Sequence, residues 1–454
     1  MSSMSETAPV LPPAPAPTPA PVGKGRIFSW SLWDWGSAAF QAVVTTFVFG
    51  VYITQPAFGP EHEVTAQLGT ALLIAGIVVA LLAPITGQLS DAAGRRKLWL
   101  GITTAVTVGC TALLALVAPE PSFLMLGLVL LAIGNVAFEF ASVSYNAMLS
   151  QVSTNANVGR VSGFGWGMGY LGGIVLLAIL LVGFIFPDPG WFGVTHEGGW
   201  NIRVAMLVSA TWFALSAIPV FFAVPEIPAD PARKPGIRGV LTAYGTLVRT
   251  IRELWRTARQ TLFFLIASAV FRDGLAGVFT FGGVIAARSF GFDPTTVIIF
   301  AIAANVVAGL ATISAGFAED RVGAKPIMIW SLACMILSAL LVFILAPLGT
   351  WVFWVFGLLL CIFVGPVQSA SRSFLTRLIP AGREGEIFGL YATTGRAVSF
   401  LAPGAFTLAV TLGGSAIFGI LGIALVLIVG LILLLPVRAA RVPGTPAAEA
   451  APSR

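Results

Sequence analysis

The sequence has few of the side chains that hold metal ions or cover a soluble surface. Its 454 residues include three cysteines and two histidines, and Asp, Glu, Lys and Arg together make up 10%. Cys110, Cys334 and Cys361 stand singly in apolar segments. His62 and His196 are far apart, so we expect no bound metal, no cofactor and no metalloenzyme. So low a charged fraction also argues against a soluble protein.

Apolar residues are abundant instead, at 57% of the chain. They gather in about twelve runs of roughly twenty residues, and each run is long enough to cross about 30 Å of hydrocarbon as a helix. We therefore predict an all-α integral membrane protein with twelve transmembrane helices. The sequence shows no constellation of nucleophile and base, so we do not expect an enzyme.

Lysine and arginine fall on one side of the predicted helices. With a cytoplasmic N-terminus, that side receives Lys24, Arg26, residues 95–97, the central linker and Lys325, whereas the opposite loops are mostly acidic. The positive-inside rule then places both termini in the cytoplasm. This topology accounts for the net charge of +6, so the charge does not indicate a nucleic-acid partner. Abundant Arg, Ala, Gly and Pro indicate a high-GC bacterial genome and hence a bacterial inner membrane.

Two short polar loops have nearly the same sequence, half a chain apart. Each contains Gly, Asp, Gly and a basic end at the same spacing, in residues 87–97 and 316–325. A second pair of regions, around residues 149–169 and 375–395, matches at nearly the same offset. Such repeats between apolar segments indicate a duplicated membrane protein.

The repeat divides the chain into two six-helix bundles, at residues 26–224 and 261–437. The linker between them, residues 225–260, has several prolines followed by apolar residues at helical spacing and several arginines. We predict that it forms a basic amphipathic helix on the inner leaflet. Residues 1–25 and 438–454 are expected to be disordered cytoplasmic tails, because they are rich in Pro and Ala.

Six plus six helices in parallel duplication, with a Gly-x-x-x-Asp-x-x-Gly-x-basic-basic loop after the second helix, resemble the major facilitator superfamily. The first loop fits this signature, and the second keeps Gly316, Asp320, Gly323 and Lys325. The resemblance covers nearly all of residues 26–438. It implies a transporter with the major facilitator fold that works by alternating access.

Six ionisable residues fall inside predicted helices, where a charge costs several kcal/mol unless it is paired or hydrated. The acids are Asp34, Glu139 and Asp273, and the bases are Arg272, Arg372 and Arg396. Two interpretations are open. These side chains form internal ion pairs that hold the two halves together, or they couple substrate and proton binding to rearrangement. The two interpretations do not exclude one another.

Asp34 lies in a tryptophan-rich segment, residues 30–38, near the start of the first predicted helix. Aromatic neighbours would shield its carboxylate from water, which suits an acid that exchanges a proton. Alternatively, the tryptophans are interface anchors and Asp34 reaches the headgroups. Asp273 lies farther into helix seven, the repeat equivalent of helix one. We therefore expect Asp34 and Asp273 on either side of one central cavity.

Helices four and ten carry further polar residues. Glu139 and Asn146 are two turns apart and share one helix face. Arg372 occupies the position of Asn146 in the second copy. A polar cavity wall and a structural hydrogen-bond network both fit this pattern. The candidate substrate or proton-coupling residues are Asp34, Glu139, Asn146, Arg272, Asp273, Arg372 and Arg396.

The repeated loops have a different predicted role, as a cytoplasmic gate. Asp91 and Asp320 lie at the ends of helices two and eight, where a carboxylate can meet a helix N-terminus or a neighbouring arginine. We expect such contacts to favour the outward-facing state. The candidate gate residues are Asp91, Gly94, Arg95, Arg96, Asp320, Gly323 and Lys325.

Several separated motifs narrow the resemblance. They include Trp33-Asp34-Trp35-Gly36, Phe138-Glu139, Tyr145-Asn146, Asp273-Gly274, residues 368–373 and Gly395-Arg396. In this order they are similar to the vacuole-effluxer-like branch of the superfamily, which includes autophagy-related vacuolar amino-acid effluxers of fungi. The chain departs from that branch at Trp33, Gly36, Arg396 and after Gly274, so the resemblance does not identify the substrate.

The narrower resemblance implies secondary transport of a small polar solute, with amino acids as one class. We expect proton coupling and a monomer in the lipid bilayer. A cavity with both acids and arginines would suit the two ends of a zwitterion. The alternative is a drug or sugar exporter of the same fold. A receptor that transports nothing is a further alternative, which the lack of a soluble sensor domain disfavours.

Overall fold

The computed structural model describes residues 23–226, 245, 249, 251–379 and 382–438. These residues contain helices and no strand, and twelve of the helices are long and apolar enough to cross a membrane. They are α1 Lys24–Tyr52, α2 Glu63–Ala93, α3 Arg96–Leu116, α4 Pro121–Val152, α5 Val158–Ile185, α6 Glu197–Ala223, α7 Arg259–Phe290, α8 Ile299–Val322, α9 Ala324–Leu348, α10 Thr350–Leu378, α11 Glu384–Gly413 and α12 Ala416–Leu434. The predicted all-α membrane class and its twelve spans are confirmed.

Each half of the chain has its own apolar core. The core of α1–α6 lies within residues 30–224. The core of α7–α12 runs from Leu254 to Val437 and also takes in residues of α2 and α4, such as Ala83 and Val143. Large apolar side chains also face outward, for example Leu73 and Phe222, because hydrocarbon rather than water surrounds such helices. Two packed bundles therefore follow each other along the chain.

The halves meet closely at the end of the bundle that carries the repeated loops, which we call the basic end. There α2 packs on α11, and α5 packs on α8. A Cβ atom at Gly385 would lie 2.7 Å from the carbonyl oxygen of Gly87, and one at Gly316 would lie 2.7 Å from that of Gly159. Only glycine permits such backbone contact. The duplication thus places glycines face to face at two equivalent crossings.

Several spanning helices are irregular. π-helical stretches occupy Ala39–Phe47 in α1, Leu181–Ile185 in α5 and Phe353–Gly357 in α10. α11 consists of two helices, Glu384–Ala397 and Leu401–Gly413, although its hydropathy predicts one continuous span. π-helical turns are frequent at functional sites. All three stretches contribute residues to the cavity described below.

The linker is described only in part. Its predicted apolar spacing depends on Ile237, Leu241, Tyr244 and Val248, which lie outside the described residues, as do residues 1–22 and 439–454. Residues 251–257 are helical, with Leu254 buried against the second bundle and Trp255 exposed. The contact of this segment with a lipid surface remains a prediction.

Candidate functional site

A cavity of about 1070 Å³ lies between the two halves. Side chains mainly from α1, α4 and α5 line one wall, and side chains mainly from α7, α8, α10 and α11 line the other. The lining runs from Asp34 and Arg372, near the middle of the bundle, to Gln55 and Ile185 at the end opposite the basic end. Most of it is apolar, with a few polar groups among the apolar ones, as in small-molecule sites generally.

Arg372 on α10 joins the two halves at the inner end of the cavity. Its Nη1 donates to Asp34 Oδ2 at 3.3 Å and to Asn146 Oδ1 at 3.1 Å. Its Nε donates to the Ser162 hydroxyl at 3.1 Å, and its Nη2 donates to the Ser162 carbonyl oxygen at 2.7 Å. The guanidinium thus links α10 to α1, α4 and α5. Asn146 and Arg372, which the repeat makes equivalent, are in direct contact.

Aromatic rings enclose the Asp34–Arg372 pair. The guanidinium carbon of Arg372 lies 5.1 Å from the ring centre of Trp30 and 5.1 Å from that of Trp166, within the range of cation–π contacts. Tyr145 stacks on Trp30 with ring centroids 4.4 Å apart. Its hydroxyl donates to Asp34 Oδ2 at 2.9 Å. The ion pair is therefore held in a largely apolar setting, where a charge needs its partner.

The tryptophans of α1 belong to the core of the first bundle. Trp30 is 0% exposed and Trp33 is 1% exposed. Trp30 donates its indole N–H to the carbonyl oxygen of Tyr145, and Trp33 donates its own to the Thr104 hydroxyl. For these two residues, the alternative of interface anchoring is wrong. Asp34 is accordingly enclosed in the bundle and does not extend to the headgroups.

A second ion pair crosses the halves between Glu139 on α4 and Arg396 on α11. Glu139 lines the cavity, and Arg396 lies outside the lining. The side chains are 23% and 32% exposed respectively, so this pair is more hydrated than the Asp34–Arg372 pair. Four of the six candidate residues are therefore in the internal ion pairs that the sequence suggests.

Arg272 and Asp273 are adjacent on α7 and have different surroundings. Asp273 is 7% exposed, and its Oδ2 accepts the backbone N–H of Ala402 at 2.6 Å. It therefore caps the second segment of α11, where the helix restarts with unpaired N–H groups. Arg272 lines the cavity, and Asp273 does not. This corrects the expectation that Asp273 faces the cavity opposite Asp34, because adjacent helical residues point about 100° apart.

At the basic end, the two loop aspartates bind helix N-termini of the opposite half. Asp91 Oδ2 accepts the backbone N–H of Glu386 at 3.0 Å, in the first turn of α11. Asp320 Oδ1 accepts the backbone N–H of Gly159 at 2.9 Å, in the first turn of α5. A carboxylate at a helix N-terminus is favoured by the helix dipole and by the free N–H groups. The expected contact with helix N-termini is confirmed at both loops.

Each of these aspartates also has an arginine partner. Arg96 is buried and contacts Asp91 and Glu384, with 2.6 Å between charged atoms in each pair. Arg160 contacts Asp320 at 2.6 Å, and its side chain is 49% exposed. The Arg96 cluster connects the two halves, since Glu384 begins α11. Desolvation makes this cluster more dependent on intact pairing than the exposed Arg160 contact.

The other predicted gate residues serve the loops themselves. Gly94 and Gly323 have φ values of 63° and 91°, which glycine adopts without strain. Lys325 Nζ donates to the carbonyl oxygen of Leu435 in its own half at 2.7 Å. Arg95 is exposed. The structure therefore gives Lys325 and Arg95 no contact across the halves among the described residues.

Three glutamates at the basic end are absent from the predicted set of site residues. Glu384 binds Arg96, and Glu386 accepts from Gln88 across the halves at 2.8 Å. Glu319 is 1% exposed and makes an ion pair within the second half. One signal in the sequence could have identified these glutamates, because they are acids on the side of the membrane that is otherwise rich in arginine. The sequence pattern alone does not separate such acids from ordinary loop charges.

The described residues give no indication of a metal centre. Cys110 and Cys361 are buried singly, and Cys334 is partly buried. Within these ranges, no group of three or more His, Cys, Asp or Glu side chains is arranged to hold a metal ion.

Sequence comparison identifies a family and two kinds of relative. The family model described as "Vacuole effluxer Atg22 like" matches residues 150–443. The uncharacterized MFS-type transporter YxiO of Bacillus subtilis is 25% identical over 409 residues, covering 89% of this chain and 93% of YxiO. Autophagy-related protein 22-1 of Aspergillus fumigatus is 25% identical over 270 residues, or 54% of this chain. The match spans 42% of that fungal protein.

Solved structures show the same fold. The proton:xylose symporter XylE matches with a TM-score of 0.68 at 13% identity, covering 90% of this chain and 94% of XylE. The transporter FucP, in an outward conformation, matches with a TM-score of 0.67 at 11% identity, covering 90% of this chain and 97% of FucP. These proteins are transporters of the major facilitator superfamily, not enzymes. With its twelve spans and this family match, the chain belongs to the vacuole effluxer Atg22-like family of major facilitator transporters.

Proposed function

We propose that this protein carries a small polar solute across a cell membrane by alternating access and couples that movement to protons. One observation carries the proposal. The cavity between the halves ends at the Asp34–Arg372 pair, which itself joins the halves. A proton or solute that competes for either partner would loosen a contact between the halves. Binding would then favour one arrangement of the halves over the other.

Asp34 is the proposed proton-binding residue. Its Oδ2 accepts from both Tyr145 and Arg372, so a proton on this carboxylate removes the charge that holds the guanidinium. Arg372 would keep its bonds to Ser162 and Asn146. It therefore stays in position while its acidic partner is neutral, which supports a reversible exchange of proton and ion-pair partner.

Amino acids are the first substrate class to test. The cavity lining offers the acids Asp34 and Glu139 together with Arg272 and Arg372, so both ends of a zwitterion could find an opposite charge. Sugars are the competing class, since XylE is a proton:xylose symporter of the same fold.

The contacts at the basic end support an outward-facing state. The halves are in backbone contact there, and the cavity runs to the opposite end. The positive-inside rule assigns the basic end, and with it both termini, to the cytoplasm. We propose that Asp91, Arg96 and Asp320 hold this gate closed. The likeness to a Bacillus protein along nearly the whole chain supports a bacterial cell membrane.

Counterflow in proteoliposomes tests the proposed transport. Vesicles with purified protein are loaded with one unlabelled solute and exposed to a trace of the same labelled solute, for a panel of amino acids and sugars. We expect protein-dependent counterflow with at least one polar solute. Counterflow with sugars alone would replace amino acids as the substrate class. If reconstituted protein of native helical content exchanged nothing from the panel, the transport proposal would fail.

A further inference from the structure

Arg272 is a cation on the cavity wall that has no acidic partner among the described residues. The other arginine of the lining, Arg372, is neutralised by Asp34. The remaining acid of the lining, Glu139, is paired with Arg396. No Asp or Glu within the described ranges forms a salt bridge with Arg272. Among the described residues, the ionised groups around the cavity therefore balance except for one positive charge.

The carboxylate of Asp273, the residue after Arg272, caps a segment of another helix. Asp273 Oδ2 accepts the backbone N–H of Ala402 at 2.6 Å and lies outside the cavity lining. Turning it toward Arg272 would leave the start of the second α11 segment without its cap. Loss of a capping residue destabilises the start of a helix. The packing between α7 and α11 therefore holds the Asp273 carboxylate away from the positive charge of Arg272.

Tyr391 holds the guanidinium of Arg272 in place. Nη1 of Arg272 donates to the carbonyl oxygen of Tyr391 at 3.0 Å, and the guanidinium carbon lies 3.7 Å from the centre of the Tyr391 ring. The Tyr391 hydroxyl is itself within 2.7 Å of the Ser371 hydroxyl. A guanidinium has five N–H donors, and this one described bond occupies only one of them. The side chain is therefore oriented and retains donors for a ligand.

We propose that Arg272 binds a carboxylate group of the transported solute. A guanidinium offers two parallel N–H groups that match the two oxygens of a carboxylate. Stacking on an aromatic ring leaves the edge of the guanidinium plane open to such a partner. A single unbalanced charge matches one carboxylate better than a phosphate, which carries about −1.5 to −2 at neutral pH. This assignment rests on the proposed transport function and specifies part of its substrate.

A carboxylate is present both in amino acids and in simple organic acids, and the two sources can be separated. Thermal stabilisation of the purified full-length protein is measured with L-leucine, with 4-methylpentanoate, which lacks the amine, and with 4-methylpentanamide, which lacks the charge. The panel adds other amino acids, monocarboxylates and dicarboxylates, with the uncharged amide of each simple acid. We expect stabilisation by carboxylates and none by their amides. A need for the amine as well would identify amino acids as the source.

Variants of α7 test whether Arg272 is the site. Arg272→Gln should weaken carboxylate binding roughly 10- to 100-fold, as expected for loss of a charged hydrogen-bonding pair. Arg272→Lys should recover part of the affinity. Arg288→Gln is the matched control, because Arg288 lies in the last turn of the same helix, is exposed and does not line the cavity. Equal binding by wild type and Arg272→Gln would overturn the assignment.

The outcomes separate this inference from the transport proposal. If wild-type vesicles exchange solutes but amides and carboxylates compete equally, transport stands and the carboxylate site is refuted. If carboxylates stabilise the protein through Arg272 but nothing is exchanged, the site stands and transport fails. If no carboxylate of the panel stabilises wild-type protein, the assignment of Arg272 is overturned without recourse to any variant.

Discussion

At the scale of single residues, the cavity is organised by two acids that each have an arginine on the other half. Asp34 and Arg372 are enclosed by aromatic rings, whereas Glu139 and Arg396 are partly hydrated. Burial strengthens the attraction between opposite charges and raises the cost of leaving either one alone. The two pairs are therefore expected to respond differently to substitution.

Asp34→Asn should abolish accumulation driven by a proton gradient and leave counterflow measurable. Asparagine keeps an acceptor for Tyr145 and Arg372 but cannot exchange a proton. The measurement is uptake of a labelled counterflow substrate with and without an imposed pH gradient. Glu139→Gln, which alters the hydrated pair, serves as the comparison. Full accumulation by Asp34→Asn would show that a residue other than Asp34 binds the coupled proton.

Glu139→Gln and Arg396→Gln should each lower thermal stability, and the double variant should be closer to wild type than the sum of the two. Each single change leaves an unpaired charge between the halves. Because both side chains are partly exposed, we expect a coupling energy of about 1 kcal/mol, near the upper range for exposed pairs. Additive effects in a double-mutant cycle would show that the pair contributes no measurable interaction.

At the scale of elements, the duplicated glycines bring α2 against α11 and α5 against α8. The aspartates of the repeated loops then cap the helices that these crossings bring near. Backbone contact and capping therefore occur at the same two places. Both features are lost if the halves separate at the basic end, so both favour the arrangement seen here.

Gly316→Ala should open the basic end. The added Cβ would lie 2.7 Å from the carbonyl oxygen of Gly159, and overpacking of this kind costs roughly 1 to 3 kcal/mol. Gly109→Ala is the matched control, because no atom lies within 4 Å of a Cβ at that position. The readout is maleimide labelling of Ala83→Cys, a buried site on α2, in a protein without native cysteines. Equal labelling in Gly316→Ala and Gly109→Ala would refute the prediction.

At the scale of the whole molecule, two bundles enclose a cavity that is closed at one end by two pseudo-symmetric contacts. The contacts are not chemically equal. Arg96 is buried between Asp91 and Glu384, whereas Arg160 beside Asp320 is half exposed. The first contact should therefore contribute more to holding the halves together.

Asp91→Asn should increase labelling of Ala83→Cys more than Asp320→Asn does. Loss of a buried, charge-assisted contact is expected to shift the equilibrium by roughly 10- to 100-fold, since hydrogen bonds to charged groups contribute about 1.5 to 3 kcal/mol. The double variant should label fastest. Arg95→Gln, at an exposed position in the same loop, is the control. Unchanged labelling in Asp91→Asn would contradict the proposed gate.

The membrane class, the twelve spans and the duplication can all be predicted from the amino-acid sequence. Those features depend on the local density of apolar residues and on a loop signature, and both can be read directly from the linear sequence. It also placed Asp91 and Asp320 at helix ends. A charge within an apolar run is easy to recognise in a sequence. The sequence therefore also predicts a short list of acids and arginines as candidates for the cavity.

Which of these charged residues face the cavity, and which cap helices or form ion pairs, depends on tertiary packing. Sequence spacing cannot show that Asp273 turns to cap α11 while Arg272 turns to the cavity, since the break in α11 lies on another helix. Nor can it show that Glu384 completes the Arg96 cluster. Each outcome depends on partners brought together from distant parts of the chain. Charge pairing across the halves is therefore a property of the packed bundles. The same holds for Arg272, the arginine of the cavity wall that has no acidic partner in the described part of the chain.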